Sequence, residues 1–341
     1  MMQAVLKQLQ NIELEEITPR KLNKGEVRLE VISCAICGSD IRIYNYGSPR
    51  VQLPHVIGHE VVGKIIEVSE GCQLNIGDYC CFGADLPCGD KECKYCNDGN
   101  FSSCDKNFAI GYQFDGGFAE TMIIPEVCWK YGSFKIIKDC KNTNDLYKYS
   151  LAEPLACAIH GVEPLNVNKN DNVLIFGGGP IGLMLGDICH SINKCNSVTI
   201  IEPSKARIEL INKLFPEFIV TDNFNNLTNK YDVIFTANSV PACHSLAIEA
   251  AAKNARINFF GGLGTSSPVE IETNKIHYKQ LLLTGTHGSR LNDFNKAFDC
   301  IENKLIDIQK YITAEYYLKD INKAFESAKD LNNLKIIIKN K

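Results

Sequence analysis

The sequence predicts an α/β protein in parts: a β-rich domain over 1–150, a doubly wound parallel sheet over 151–287, and a tail over 288–341 that returns to the first domain. Three observations predict it. At 341 residues the chain exceeds what one hydrophobic core usually supports. Near residue 150 short β-branched runs give way to strand-like stretches alternating with helix-like ones. A glycine-rich turn at 177–182 joins the first of those later strands to the first helix.

Within 1–150, the runs 26–32 and 61–68 show the β-branched alternation of strands. Gly25, Pro54, Gly58, Gly71, Gly77, Gly83, Pro87 and the pair Gly116–Gly117 mark turns. Short strands with long loops predict a compact barrel-like domain whose loops carry function. The polar segment 139–149 reads as a surface loop at a domain junction. Beyond it, Asn172–Phe176, 197–202, 218–222, Tyr231–Thr236, 255–260 and 281–285 read as strands. Helices are expected near 181–194, 204–215 and 241–253. This βαβ alternation predicts a parallel sheet of Rossmann type. In the tail, 292–304 and 319–329 read as helices and 334–338 as a closing strand. The sequence shows no internal repeat.

Composition narrows the function classes. Hydrophobic residues make up 45% and charged residues 22%, the balance of a globular protein. A net charge of -4 offers no electrostatic reason for nucleic acid or an anionic membrane as partner. Residues 1–10 lack the apolar core of a signal peptide, and the apolar stretch 173–186 is too short to span a bilayer. A cytoplasmic protein is the consistent expectation. Sixteen cysteines then point to metal ligands plus buried free thiols, not disulfides. Cys72, Cys80, Cys81, Cys128, Cys140, Cys189, Cys195, Cys243 and Cys300 lack metal-like spacing and read as core or incidental thiols.

Gly177, Gly179 and Gly182 fit the dinucleotide pattern, between a strand and a helix opening at Pro180 and Ile181. The first glycine permits the tight turn, the second lets backbone approach a pyrophosphate, and the third lets helix pack on strand. The helix N-terminus then offers free N–H groups to the phosphates. Glu202, at the end of the next strand, suits a ribose 2′-hydroxyl and repels a 2′-phosphate, so NAD is expected over NADP. Arg207 either pairs with a 2′-phosphate or flanks the adenine. Asn238 with Ser239, and Gly261 with Gly262, follow strand ends where such sheets bind ligands, and are candidates to meet the nicotinamide ribose and ring.

Cys88, Cys93, Cys96 and Cys104 are spaced C-x4-C-x2-C-x7-C, which suits a closed all-cysteine zinc site of structural role. Cys37 and His59 offer a second site a thiolate and an imidazole, and Glu60 or Glu153 a carboxylate. Three protein ligands and an open position describe a catalytic zinc, which lowers the pKa of a bound alcohol so that hydride can leave for NAD+. Ser39, two residues from Cys37, can take the hydroxyl proton and pass it outward.

Through Cys37-Gly-Ser-Asp40, Gly58-His-Glu60, the cysteine cluster, the 115–120 and 153–160 segments, Gly177 to Gly182 and the 318–325 tail, the chain resembles the zinc-dependent medium-chain dehydrogenase/reductase family. Within it the polyol branch, of sorbitol (L-iditol) dehydrogenase type, is most similar. The resemblance implies a GroES-like catalytic domain built from the N-terminal part and the tail, with the Rossmann domain inserted. It implies two zincs per chain. One is catalytic, on Cys37 and His59 with Glu60 and Glu153 as direct or water-bridged ligands; the other is structural, on the four-cysteine cluster. It also implies proton relay by Ser39 and a homodimer or homotetramer. The x4 spacing after Cys88 departs from the usual x2 and should bulge the loop. Arg42 stands where many relatives carry His, and Thr121 where Tyr is common.

The expected reaction interconverts a secondary alcohol and a ketone on a polyol, sugar alcohol or cyclitol. Alternatives are a phosphorylated polyol, a threonine-type amino alcohol, or a non-catalytic zinc- or NADH-binding protein of the same fold. A metal-free quinone or enoyl reductase is disfavoured by both metal constellations. Arg42, Arg50 and Lys130 either hold a substrate phosphate or are solvated surface charges, and His287 either lines the site or is structural.

Overall fold

The structure is a computed structural model that describes residues 1–138, 142–225, 227, 230–264 and 267–340. Contacts divide the chain into two units, Met1–Ala156 with Ser289–Lys341, and Cys157–Gly288.

In Cys157–Gly288 the strand-forming runs are short and apolar, as in a sheet covered on both faces. Six lie parallel, in the order Ile219–Thr221, Ser197–Ile201, Asn172–Phe176, Tyr231–Thr236, Ala251–Asn258, Leu282–Thr284. The first strand in the chain is therefore central, the next two extend to one side, and the last three extend to the other. That order creates a switch point beside Asn172–Phe176, where open α/β sheets bind their ligands. Val173 pairs with Val198 on one side and Val233 on the other. Val173, Leu174, Ile175 and Phe176 are all completely buried.

Helices Pro180–Asp187, Lys205–Leu214 and Pro241–Ala250 return the chain between strands. The first runs on as a π turn, Ile188–Ile192. The third ends three residues earlier than the sequence suggests. Ala251 instead pairs with Tyr231, and the register shifts before Arg256 pairs with Val233. Asn254 absorbs that irregularity at φ +60°, a conformation asparagine tolerates. The helix Thr273–Lys279 adds an element beyond those the sequence predicts.

In the other unit a sheet runs Ile312–Tyr317, Lys335–Lys339, Val27–Ala35, Glu60–Val68, Tyr79–Phe82, Phe134–Ile137, with Thr121–Ile124 also pairing Val27–Ala35. Leu29, Val31, Ile65 and Ile336 of its strands pack with Phe118 and with Phe325 of the helix Ile321–Ser327 in one apolar core. Three strand ends converge at one edge of this core. Ala35, the last residue of its strand, pairs with Glu60, the first residue of the next. Ile337 pairs with Ala35, and Ile36 N–H donates to the Ile336 carbonyl at 2.9 Å. The closing strand thus brings Lys335 alongside residues from the beginning of the chain.

The expected surface loop at 139–149 is corrected from 142 onward. Thr143–Leu151 is a 3-10 helix in which Leu146, Tyr147 and Tyr149 are buried. The Asn and Lys residues suggested a loop, but the tyrosines bury apolar bodies while keeping a polar tip. Cys80, Cys81, Cys128, Cys189, Cys195, Cys243 and Cys300 are buried free thiols and Cys72 is partly buried. Cys140 lies outside the described residues. No helix among the described residues is long and apolar enough to cross a membrane.

Candidate functional site

The turn after Ala35 begins the first metal-type cluster. Cys37 caps the helix Gly38–Tyr46, and its backbone N–H donates to Asp40 Oδ2 at 2.9 Å. An acidic residue at the third helical position commonly satisfies that donor. The same carboxylate accepts from Gly58 N–H at 3.2 Å through Oδ1, which lies 3.4 Å from His59 Nδ1. One buried acid therefore ties the Cys37 turn to the Gly58–Glu60 segment and orients the imidazole, as acids behind metal-ligating histidines do. Burial alone would lower the His59 pKa, but Asp40 and Cys37 together outweigh it and hold the ring well above the usual range. A metal at the other nitrogen would take that proton's place.

The ligand atoms of Cys37, His59 and Glu60 lie within 4.8 Å of one another. Glu60 is fully buried. Its Oε1 accepts a hydrogen bond from Lys335 Nζ, while its buried Oε2 has no hydrogen-bond partner among the described residues. Lys335 is itself buried. Burial opposes its charge, yet the Glu60 carboxylate raises its pKa well above the ordinary lysine value. Glu153, in the first turn of the helix Ala152–Val162, is not part of the 4.8 Å cluster. Its carboxyl is pushed up to about 7, chiefly by desolvation, with His59 opposing and Glu60 reinforcing. The orphaned Glu60 oxygen with a thiol and an imidazole fits a zinc with an open position. Ser39 Oγ is 3.5 Å from His59 Nε2. The Tyr112 ring lies 5.8 Å from the imidazole, and burial raises its phenol's pKa.

Cys88, Cys93, Cys96 and Cys104 also bring their sulfurs within 4.8 Å of one another. Cys93 Sγ is 3.6 Å from Cys104 Sγ, and Cys96 Sγ is 3.6 Å from Cys88 Sγ. A disulfide would need about 2.0 Å. A tetrahedron with zinc–sulfur bonds of about 2.3 Å has edges near this separation. The short helix Lys94–Asn97 turns Cys93 and Cys96 to one side, and buried Phe101 pins the loop ahead of Cys104. The Cys96 backbone N–H draws the Cys93 thiol down to about 7, whereas burial pushes Cys96 up to about 12. The extra residues after Cys88 do not prevent the four sulfurs from meeting.

In the parallel-sheet unit, Gly177 has φ +113°, which only glycine adopts freely, and a Cβ there would stand 2.9 Å from the Ala237 carbonyl. A Cβ on Gly182 would stand 2.0 Å from the Gly177 carbonyl. At Gly179, which caps the helix Pro180–Asp187, a Cβ would meet nothing within 4 Å. That open backbone beside a helix N-terminus is the cradle a pyrophosphate requires. Pro180 and Ile181 form the first turn of the helix. Glu202 accepts from Gly178 N–H at 3.0 Å and from Ser204 N–H at 2.9 Å. Each carboxylate oxygen keeps a second lone pair, so a ribose hydroxyl can still bond there.

Arg207 is buried on the helix Lys205–Leu214, not spread over an exposed surface. Asn238 is tied inward: its amide donates to the Phe176 carbonyl at 3.1 Å and accepts from Val240 N–H at 2.9 Å. A Cβ on Gly261 would stand 2.1 Å from the Asn238 carbonyl, so that glycine serves close packing, whereas a Cβ on Gly262 would meet nothing within 4 Å.

Residues 23–132 match the alcohol dehydrogenase GroES-like domain family, and residues 180–303 match the zinc-binding dehydrogenase family. This chain belongs to the zinc-dependent medium-chain dehydrogenase/reductase family. It is 27% identical over 347 residues to an L-threonine 3-dehydrogenase of Shewanella oneidensis, covering 98% of this chain and 97% of that one. It is 25% identical over 339 residues to a sorbitol dehydrogenase of Halalkalibacterium halodurans, covering 96% and 94%. The structure of 2R,3R-butanediol dehydrogenase from Bacillus subtilis is similar in fold, with a TM-score of 0.87 at 22% identity over 100% of this chain and 99% of that one.

As a medium-chain dehydrogenase/reductase, the chain combines a GroES-like and a Rossmann-type α/β domain. Two residues of its metal cluster went unassigned in the sequence. Asp40 lies inside the Cys37–Asp40 motif, where its three-residue spacing from Cys37 was the available signal. Lys335 lies 275 residues from Glu60. Its signal was a lysine ahead of the apolar run 336–338.

Proposed function

We propose that this protein is a zinc- and NAD-dependent dehydrogenase that interconverts a secondary alcohol and a ketone on a polyol, sugar alcohol or cyclitol. The meeting of Cys37, His59 and Glu60 around an orphaned buried carboxylate oxygen carries the reading. Cys37, His59 and Glu60 would hold the catalytic zinc, with Glu153 alongside; the four-cysteine cluster would hold the structural one. Zinc bound there supplies Lewis-acid polarisation of the substrate oxygen.

The chain's own residues do the rest. Asp40 fixes the imidazole, and Lys335 balances the Glu60 charge. Ser39 Oγ receives the hydroxyl proton of the substrate and passes it outward. Gly177–Gly182 hold the pyrophosphate on backbone N–H groups, and Glu202 takes the adenosine ribose. Assaying neutral polyols, cyclitols, amino alcohols and sugar phosphates for NADH formation tests the reading. Turnover of none would end it. The 27% identity to an L-threonine 3-dehydrogenase favours an amino alcohol as the second reading.

Two outcomes follow for the cofactor sites. Cys96→Ser is expected to leave one zinc per chain in place of two, measured by atomic absorption, and to lower the unfolding midpoint by several degrees. Two zincs in that variant would remove the structural site. Glu202→Ala is expected to raise KM for NAD+ about tenfold or more, since a hydrogen bond to a charged group contributes about 1.5–3 kcal/mol. NADP+ should gain relative to NAD+ in the same assay. An unchanged cofactor ratio would take Glu202 out of cofactor choice.

A further inference from the structure

Arg50 follows the helix Gly38–Tyr46 and lines a cavity of about 890 Å³ together with Ser48, Gln52, His55, Tyr112 and Gln113. Its guanidinium carbon stands 5.0 Å from the centre of the Tyr112 ring. That ring is the one 5.8 Å from the His59 imidazole. A guanidinium carries five donors, yet here the side chain makes one long hydrogen bond, 3.4 Å to Asn107 Oδ1. It also makes a long ion pair with Asp85 at 3.9 Å, whose Oδ1 accepts from Asn107 Nδ2 at 2.9 Å. Arg50 is therefore held by an aromatic face, one long hydrogen bond and one long ion pair, which leave donors of its guanidinium unused beside a cavity. Lys130 and Arg42 differ from it. Lys130 is paired with Glu126 at 2.6 Å, and exposed Arg42 does not line the cavity.

We propose that this cavity, joined to the metal cluster through Tyr112, receives the far end of the substrate, and that Arg50, seated on Tyr112, is its anion anchor and gives the site a preference for polyols carrying a terminal phosphate. The assignment rests on the dehydrogenase reading above. Planar donors favour a phosphate or carboxylate oxyanion over a neutral hydroxyl. The spacing selects between the two anions. The Tyr112 ring separates Arg50 from His59, with Arg50 5.0 Å on one side and the imidazole 5.8 Å on the other, whereas a hydroxy amino acid holds its carboxylate only a bond or two from the reacting carbon. A terminal phosphate on an extended polyol lies several bonds away.

The test compares sorbitol, sorbitol 6-phosphate and L-threonine as substrates for the full chain, in wild type, Arg50→Gln and Arg50→Lys. Wild type should show kcat/KM about tenfold or more higher for the phosphate than for sorbitol. Arg50→Gln should lower that ratio by about the same factor, chiefly through KM, and Arg50→Lys, which keeps the charge but loses the planar fork, should fall between wild type and Arg50→Gln. Equal use of sorbitol and its phosphate, preference for L-threonine, or equal losses in both variants would each overturn the anchor. Calorimetric titration of sorbitol 6-phosphate into wild type and Arg50→Gln reads the anchor without turnover. Equal affinities there would overturn the anchor and leave the dehydrogenase reading standing. NADH formation from no substrate in the wider panel would end the dehydrogenase reading instead.

Discussion

Replacing Cys37 by alanine is expected to lower turnover by about a thousandfold or more while NADH still binds. The expectation follows from how this residue is used. Its side chain contributes one of three clustered ligand atoms, whereas its backbone N–H holds the 2.9 Å bond to Asp40. Alanine removes the sulfur and keeps the N–H, so the turn should survive. Two remaining ligands are too few for a stable catalytic zinc, and the polarisation it supplies contributes several kcal/mol, with each 1.36 kcal/mol equal to tenfold in rate. Three measurements separate the outcomes: NADH formation, zinc per chain, and NADH binding by fluorescence. Wild-type turnover in a metal-stripped Cys37→Ala preparation would remove zinc from the mechanism. Loss of NADH binding as well would mean that the substitution had damaged the fold.

Legibility in the sequence followed the range of the interaction. The four-cysteine cluster spans 17 residues, and its sulfurs meet as their spacing suggests. Asn172–Phe176 and Tyr231–Thr236 were legible to the residue because each is only five or six residues long, rich in β-branched and aromatic side chains, and bounded by turn residues. The end of Pro241–Ala250 was not, because Ala251 is a good helix former that pairing with Tyr231 draws into the sheet. At the segment 142–149 composition misled, since three burying side chains are scattered among Asn and Lys. The metal cluster shows the same division. Cys37, His59 and Glu60 were visible as residue types, but their grouping depends on Ala35 pairing with Glu60. Asn238 and Gly261 were legible as strand-end positions, but not the inward hydrogen bonds and close packing that occupy them.

Lys335→Met is expected to destabilise the protein by about 3–5 kcal/mol, because it leaves the Glu60 carboxylate buried without its cation. Glu60 is completely buried, Lys335 is 3% exposed, and Lys335 Nζ donates to Glu60 Oε1. The lysine opens the closing strand Lys335–Lys339, an interior strand of its sheet, so no nearby solvent can replace the lost charge. The double variant Lys335→Met/Glu60→Gln removes both charges and should recover most of the lost stability, since a buried pair taken out together leaves no unpaired ion. Urea unfolding of the metal-free protein measures all four corners of that cycle. The two readouts should part in the double variant, with stability regained and turnover still low, because glutamine is a poorer zinc ligand than a carboxylate. A double variant no more stable than Lys335→Met alone would show that the lysine acts through packing and not as the counter-charge of Glu60.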